Sequence, residues 1–306
     1  MEYQVPKPRI AVAIIAFTLL ITGCSIPGSG GSPSPTVTSD AAPMLVPGTA
    51  EKAVAKILAA TNQTLALQVV ITARTATASV LIDGKVHTWQ IDSGSPREVE
   101  TDVTYVDQAL FDPKSFDFYD VAHLFRRATD ASGSASDQRL EIVDYNAGQV
   151  LMTVTSRPES FPVFFFEDGT QLPRLDLTKA QDMQVALEAV SKDAPYATLV
   201  GLNEQGFYLE TRGPKDSTIR MLRPENLPVW KSSRKSASEL ATFPVAKVRP
   251  DVIESWFIKL GAPDKKVSVE IDTRDSPTNP SMRFSNGSDT VVTDLDGKEI
   301  TDQVAA

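Results

Sequence analysis

The side chains best suited to chemistry in this chain are few: one cysteine, Cys24, and two histidines, His87 and His123. A structural zinc site needs about four clustered nitrogen or sulfur ligands, and these three residues are far apart in the sequence. No serine stands in the G-x-S-x-G turn of a hydrolase, and the sequence contains neither a P-loop nor a dinucleotide-binding glycine fingerprint. The sequence therefore predicts no catalytic residue, no cofactor and no metal site.

Acidic side chains number 39, so pairs of carboxylates are unavoidable and do not by themselves indicate a glycosidase. The acidic group from Asp289 to Asp296 has Val292 where a calcium loop needs its first ligand. Asp296–Gly297 instead indicates a two-residue hairpin turn between extended runs. The same turn is predicted at two other places, Asp83–Gly84 and Asp168–Gly169.

Cys24 follows a segment with the features of a secretory signal. Lys7 and Arg9 precede the apolar run Ile10–Ile21, which is too short for a membrane span of about 20 residues. The motif Leu20-Ile21-Thr22-Gly23-Cys24 resembles the lipobox of a bacterial lipoprotein. Gly23 and Ile21 stand where that motif requires a small and an apolar residue, which opposes an ordinary signal peptide or an uncleaved anchor.

This resemblance implies that residues 1–23 are removed, that Cys24 carries a diacylglycerol on its sulfur, and that the lipid bilayer is a partner. Residues 24–48 are rich in Ser, Pro, Gly and Thr, a composition that favours a disordered tether. A long tether after the lipobox is typical of Gram-positive, especially actinobacterial, lipoproteins. The expected location is the outer face of the cytoplasmic membrane.

Charge and length limit the classes of partner and of fold. The net charge of −9 disfavours nucleic acid and anionic lipid headgroups as the main partner, because both favour a basic surface. With the only thiol assigned to lipid, the body has no disulfide and depends on a hydrophobic core for its stability.

An internal repeat is indicated by anchor points that recur with nearly constant spacing. The helix pattern around Val121 recurs 131 residues later, and the turn Asp168–Gly169 recurs 128 residues later. We therefore predict a tandem duplication, with a first domain at 49–175 and a second at 176–306.

Each domain shows helix patterns followed by strand patterns. Helices are predicted from Thr49 to Ala60, from the cap Asp112-Pro113, from Thr178, and from Pro250 to a stop at Gly261. Alternating runs such as Val267, Val269 and Ile271 indicate half-buried strands. The predicted fold class is α+β, with helices packed on one face of each antiparallel sheet.

The order of these elements is similar in outline to secreted repeat folds such as the β-lactamase inhibitory protein. The likeness covers element order only. No residue motif extends an inhibitory function to this chain.

Aromatic residues give the best indication of a binding surface. Phe164 and Phe166 belong to a run of three phenylalanines, which indicates either a strand covered on both faces or one face left for a partner. Trp230 lies in a loop-like stretch, and the basic patch Lys231–Lys235 that follows it is expected to be a solvated loop. Trp89 lies beside His87 on a strand pattern. Trp is enriched where interfaces bind most strongly, although a lone Trp also fits a core edge.

Three functions remain open. The first is a membrane-anchored, non-enzymatic binding or scaffold protein of the cell envelope, with an envelope protein as partner. The second is a carrier for a hydrophobic or small-molecule ligand, whose pocket would leave little sequence trace. The third is a hydrolase without a recognisable motif.

Overall fold

The computed structural model describes residues 42–158, 161–236, 238–262, 266–287 and 289–304. The predicted signal peptide, Cys24 and most of the predicted tether lie outside these residues. No helix in the described ranges is long and apolar enough to cross a membrane.

Two seven-stranded antiparallel sheets contain most of the regular structure. The helices are α1 (Thr49–Ala60), α2 (Val121–Ser132), α3 (Ala180–Ser191), α4 (Pro250–Leu260) and the short α5 (Thr301–Val304). The first sheet contains β1 (Gln68–Thr72), β2 (Ala76–Ile82), β3 (Lys85–Ile91), β4 (Arg97–Val99), β5 (Arg139–Asn146), β6 (Gln149–Thr155) and β7 (Val163–Phe165). After β8 (Tyr196–Ala197), the second sheet contains β9 (Leu199–Asn203), β10 (Gly206–Gly213), β11 (Ser217–Arg223) and β12 (Trp230–Arg234), and after β13 (Phe243–Pro244) it continues with β14 (Ser268–Asp272), β15 (Ser281–Ser285) and β16 (Thr290–Thr293).

Both sheets have the same connectivity. The strand order is β4-β3-β2-β1-β5-β6-β7 in the first and β12-β11-β10-β9-β14-β15-β16 in the second. In each, one helix precedes a four-strand meander and a second helix precedes the last three strands. We call residues 42–171 the first half and residues 175–304 the second half.

Strand register corresponds between the halves as well. Val69 pairs with Ile142 in the first sheet, and Val200 pairs with Ile271 at the equivalent place in the second. The bridge between Ala66 and Phe111 likewise matches the pairing of Ala197 with Phe243. The α+β class with repeated antiparallel sheets is therefore confirmed, although strands outweigh helices.

Each half has its own apolar core. In the first, Ile57 of α1 and Phe125 of α2 share one buried cluster with the strand residues Val69 and Ile142. In the second, Leu187 and Ile253 of the helices join the corresponding strands in a separate cluster. We call the sheet face opposite these clusters the outer face.

The predicted helix ends are only partly correct. α1 and α4 have the predicted bounds, and Gly261 ends α4 in the left-handed region at φ 91°. Asp112-Pro113 starts only a short 3-10 turn, and α2 begins after Asp120, whose carboxylate accepts a hydrogen bond from the His123 amide at 2.8 Å.

α3 begins at Ala180 instead of Thr178, because the Thr178 hydroxyl donates to the Asp176 carboxylate in the preceding turn. All three Asp-Gly pairs lie in turns, but only Asp83–Gly84 forms the predicted two-residue turn. At Asp168–Gly169 and Asp296–Gly297 the loop has three residues, closed by the pairs Phe166–Thr170 and Asp294–Lys298. Asp83–Gly84 joins β2 to β3 with both residues at positive φ.

Structure begins before Thr49, within the segment that the composition assigned to a tether. Met44 is 3% exposed and belongs to the first core. Its backbone N–H donates to the Ala73 carbonyl at 3.2 Å. Residues 42–48 therefore belong to the folded body.

Candidate binding surface

The phenylalanine run is covered on both sides. Phe165 lies in the first core, whereas its neighbour Phe164 faces outward and is still 93% covered, with 7% exposed. The ring centroid of Phe164 lies 5.3 Å from that of Tyr145 on β5, in an edge-to-face arrangement. The sequence left open whether the outward face of this strand is covered or free for a partner. In the structure, Tyr145 covers part of the Phe164 ring.

Trp230 completes this cluster from the second half. Its ring centroid lies 5.8 Å from that of Tyr145 at an interplanar angle of 88°, yet 46% of Trp230 remains exposed. We call Tyr145, Phe164 and Trp230 the aromatic triad. It includes two of the four residues predicted for a binding surface.

The other two predicted residues lie apart from the triad. Trp89 is half-buried on β3 and packs against the first core, and its indole N–H is buried without a partner among the described residues. Phe166 follows β7 and is 40% exposed. The structure therefore places Trp89 with the core rather than at a shared surface.

Tyr145 is the member of the triad that the sequence analysis missed. β5 and β7 are separated by β6, and β12 belongs to the other sheet, so no spacing in the sequence links these rings. Burial raises the pKa of the Tyr145 hydroxyl, while the nearby Arg223 guanidinium acts in the opposite direction.

Arg223 ties the link between the halves to the second half. It is 2% exposed, and its guanidinium donates to the carbonyls of Pro173, Pro224 and Leu227. Burial lowers its pKa to about 10. Pro173 lies in the link between the halves, so this arginine fixes the link to the end of β11.

The basic patch Lys231–Lys235 was predicted to be a loop, and this prediction is wrong. Trp230–Arg234 form β12, which pairs with β11 at the edge of the second sheet. All five residues of β12 are exposed. An edge strand with both faces in solvent has no apolar alternation, so its sequence resembles a polar loop.

The edge of β12 that faces away from β11 has backbone groups that are free to form hydrogen bonds with another strand. The Lys231 N–H donates to the Asn146 side chain at 2.7 Å, which shows that Lys231 points its backbone away from β11. Because backbone groups alternate along a strand, those of Ser233 point outward too. Within the described ranges, no residue hydrogen-bonds to these outward groups of Ser233.

Beside β12, the outer face of the second sheet holds a charged network. The carboxylate of Glu210 is buried and contacts Arg234 at 2.8 Å and Arg220 at 3.5 Å. The Arg220 guanidinium lies 3.9 Å from the ring centroid of Tyr208. Burial, reinforced by Glu270, raises the pKa of Tyr208, which keeps this phenol neutral.

The described residues of the first half include the linings of two open grooves. The smaller, of about 350 Å³, lies between α1 and the segment around Pro113. The larger, of about 530 Å³, lies at one end of the first sheet beside α2. We call it the arginine groove; the residues that concern its chemistry are Leu45, Arg74, Phe125, Asp137, Arg139 and Arg157.

The histidines form no site. His87 contacts Glu98 at 2.7 Å on the first sheet, and His123 is exposed on α2. In the part of the chain that the structure describes, no three His, Cys, Asp or Glu side chains lie close enough together to hold a metal ion.

Comparisons with known proteins give no family and only weak structural matches. No protein family and no curated protein matches this chain. Among solved structures, the DNA polymerase III subunit beta from Pseudomonas aeruginosa matches with a TM-score of 0.15 and 12% identity over 78% of this chain and 57% of that one. The DNA polymerase sliding clamp from Pseudomonas aeruginosa matches with the same TM-score and 10% identity over 85% of this chain and 61% of that one. The chain therefore spans about three fifths of these proteins, and similarity this weak carries no argument about fold or function.

Proposed function

We propose that this chain is a non-enzymatic binding protein of the cell envelope, held by lipid on Cys24 at the outer face of the cytoplasmic membrane. Its partner is an envelope protein that pairs with the open edge of β12. The lipobox resemblance supports the anchor, and the exposed edge strand supports the binding role.

The observation that carries the binding role is the edge of β12. An unpaired strand edge can bind an extended segment of another protein through its backbone groups. Lys231 on β12 and Lys235 directly after it give this edge a positive charge, to which Arg234 adds less because it pairs with Glu210, in a chain whose net charge is −9. Because like charges would repel a basic segment, the complementary partner is an extended acidic one.

Trp230 provides an anchor at the start of this edge. Its ring is fixed on one side by Tyr145 and open to solvent on the other. A tryptophan held in one orientation loses little conformational freedom when a partner covers it, and such residues often dominate binding energy.

We also propose that the two halves arose by tandem duplication of a unit in which two helices cover one face of a seven-stranded sheet. The matching strand order and register support this origin. Among the described residues, the meander of the first half ends in β4, where Arg97 and Glu98 offset each other in charge, whereas that of the second ends in the basic, exposed β12. The proposed binding role therefore belongs to the second half.

The test is recovery of the partner with the intact, membrane-anchored protein. Trp230→Ala should lower the amount of crosslinked or co-purified partner by about tenfold or more. Tyr196→Ala is the matched control, because Tyr196 is an exposed aromatic residue, 55% exposed, on another strand. Equal recovery with both variants would contradict the proposed role of β12.

A second candidate, a carrier for a small ligand, is favoured by the arginine groove alone. That groove is open to solvent and lined by charged and apolar residues, which suits a small polar ligand better than a fully apolar one. A small molecule that co-purifies in place of a protein would favour this second function.

A further inference from the structure

The part of the β12 edge that is open to a partner is short. At one end, the Asn146 side chain already accepts the Lys231 N–H at 2.7 Å, so a pairing strand cannot place a carbonyl there. At the other end, β12 stops at Arg234, and the Ser236 N–H donates back to the Arg234 carbonyl at 2.9 Å. Between these ends, Ser233 has outward backbone groups with no hydrogen-bond partner among the described residues.

Side chains along this edge divide between the two faces of the sheet. Lys231 pairs with Met221 of the second core, so Lys231 and Ser233 point to the core side of the sheet. Trp230 and Ser232 alternate with them and point to the outer face. A strand added at this edge therefore meets a lysine on one face and a tryptophan on the other.

The two lysines at this edge are available to an acidic group. Among the described residues, the side chains of Lys231 and Lys235 have no ion-pair partner, whereas the Arg234 guanidinium contacts the Glu210 carboxylate at 2.8 Å. Diagonal neighbours on one face of a sheet lie about 7–8 Å apart, within reach of a long side chain. A carboxylate opposite Ser233 is therefore diagonal to Lys231, and Lys235 stands in the bend just past the strand.

The outer face favours an apolar residue beside that carboxylate. Ser232 is small and exposed, and the Trp230 side chain next to it on the same face is 46% exposed. The residue that a partner places opposite Ser232 is diagonal to Trp230. An apolar side chain at that position would cover the open part of the indole ring and remove apolar surface from water.

We infer that the partner of β12 pairs over the three positions Ser232–Arg234, with an acidic residue opposite Ser233 and an apolar residue opposite Ser232. The inference rests on the proposed function, because it specifies the partner of the same edge. Since Asn146 ends the edge on one side, the partner's strand has to end or turn away there. A chain end or a tight turn of an envelope protein fits this edge better than the middle of a long strand.

The test measures binding of synthetic peptides to the full chain in neutral detergent micelles, by fluorescence anisotropy. The probe is fluorescein-labelled Thr-Val-Glu-Val-Thr, which has an apolar residue on either side of the acid and so suits both strand directions. It should bind at least about threefold more tightly than the same peptide with Gln in place of Glu. Two more residues at each end should change the affinity by less than about threefold, because they find no further open positions on the edge.

Variants at Ser233 assign the binding to the edge. Proline is tolerated on an edge strand where the N–H faces outward, so Ser233→Pro should fold and bind at least about tenfold more weakly for lack of the donor. Ser233→Thr keeps the donor and is the matched control, with affinity expected within about twofold of the original. Circular dichroism of each variant checks folding.

Variants of the lysines assign the preference for an acid. Lys231→Gln with Lys235→Gln should abolish the preference for the glutamate peptide over the glutamine peptide. Lys215→Gln with Lys247→Gln removes the same charge from two other exposed positions and should leave the preference unchanged.

Equal affinity for the two peptides, a larger gain on extension, or unchanged binding by Ser233→Pro would overturn the inference, and so would the absence of binding by every peptide. The proposed function is judged separately, by crosslinking from Ser233 in intact membranes, which does not depend on a peptide sequence. A discrete crosslinked protein together with no preference for the glutamate peptide would leave the binding edge in place and remove only this description of its partner.

Discussion

At the scale of residues, Arg223 combines burial with several hydrogen bonds from one guanidinium. It is buried, and its three described hydrogen bonds go to backbone carbonyls rather than to a carboxylate. Its hydrogen bonds offset the cost of burying the guanidinium, because burial alone opposes its charge and lowers its pKa. The sequence contains no sign of this role, since Arg223 is separated from Pro173 by 50 positions.

Arg223→Met should destabilise the protein by about 2–4 kcal/mol, because it leaves three carbonyls without their donor. The free energy of unfolding from urea denaturation measures this. Arg126→Met is the control, since Arg126 is exposed on α2 and its loss should change stability by less than about 0.5 kcal/mol. Equal effects would show that the hydrogen bonds of Arg223 do not stabilise the link between the halves.

Asp176 gives a prediction about pH. Hydrogen bonds from the hydroxyl and amide of Thr178 lower the pKa of its carboxyl below the ordinary value of 3.8. The carboxylate thus contributes stability above about pH 4, and this contribution is lost as the pH falls through the lowered pKa. Asp176→Asn should flatten the fall in urea midpoint between about pH 5 and pH 3, and an unchanged slope would contradict this.

At the scale of elements, periodic patterns predicted α1 and α4 well because each has an apolar stripe and a clear end. The start of α2 was wrong because Asp112-Pro113 fits a helix cap equally well in a 3-10 turn. β12 was missed because strand recognition depends on alternation, and none of its residues is buried. The candidate surface therefore lies on β12, a strand that the sequence analysis took for a loop.

In the second half, α4 is tied to the last predicted turn through Trp256. The indole N–H donates to the Gly297 carbonyl at 3.2 Å, and the ring stacks on Phe284 at a centroid distance of 5.6 Å. Trp256→Ala should lower the free energy of unfolding by about 3–5 kcal/mol, and Trp256→Phe by about 1 kcal/mol through the lost hydrogen bond.

Trp230→Ala is the matched comparison for Trp256→Ala. The same side chain is removed, but Trp230 is half exposed, so less stability should be lost. Thermal or urea unfolding of both variants provides the measurement. A larger loss at Trp230 would mean that the aromatic triad is mainly structural.

At the scale of the whole molecule, the repeat of helices and antiparallel strands could be predicted, because the anchor points keep a nearly constant spacing although few residues are identical. The contact between the halves could not be predicted, because Tyr145 and Trp230 belong to different sheets and no sequence spacing links them. The aromatic triad, the link held by Arg223 and the open edge of β12 all lie at or beside this contact. The proposed binding surface therefore lies at or beside the contact between two similar halves.

Cys24→Ala should change where the whole molecule is found. Without the thiol that the lipobox resemblance assigns to lipid, the protein should lack a diacylglycerol and either enter the medium or remain as an uncleaved precursor. Mass spectrometry and membrane fractionation measure both outcomes. An unchanged mass and an unchanged membrane fraction would contradict the anchor.

The central claim is that β12 is a binding edge, and the most direct measurement is photo-crosslinking in intact membranes from a single position on that edge. A photoreactive residue at Ser233 should give a discrete product with another protein, and Trp230→Ala should weaken it. The same residue at Lys85, an exposed position at the start of β3, should give no such product. No product from Ser233, or equal products from both positions, would contradict the account.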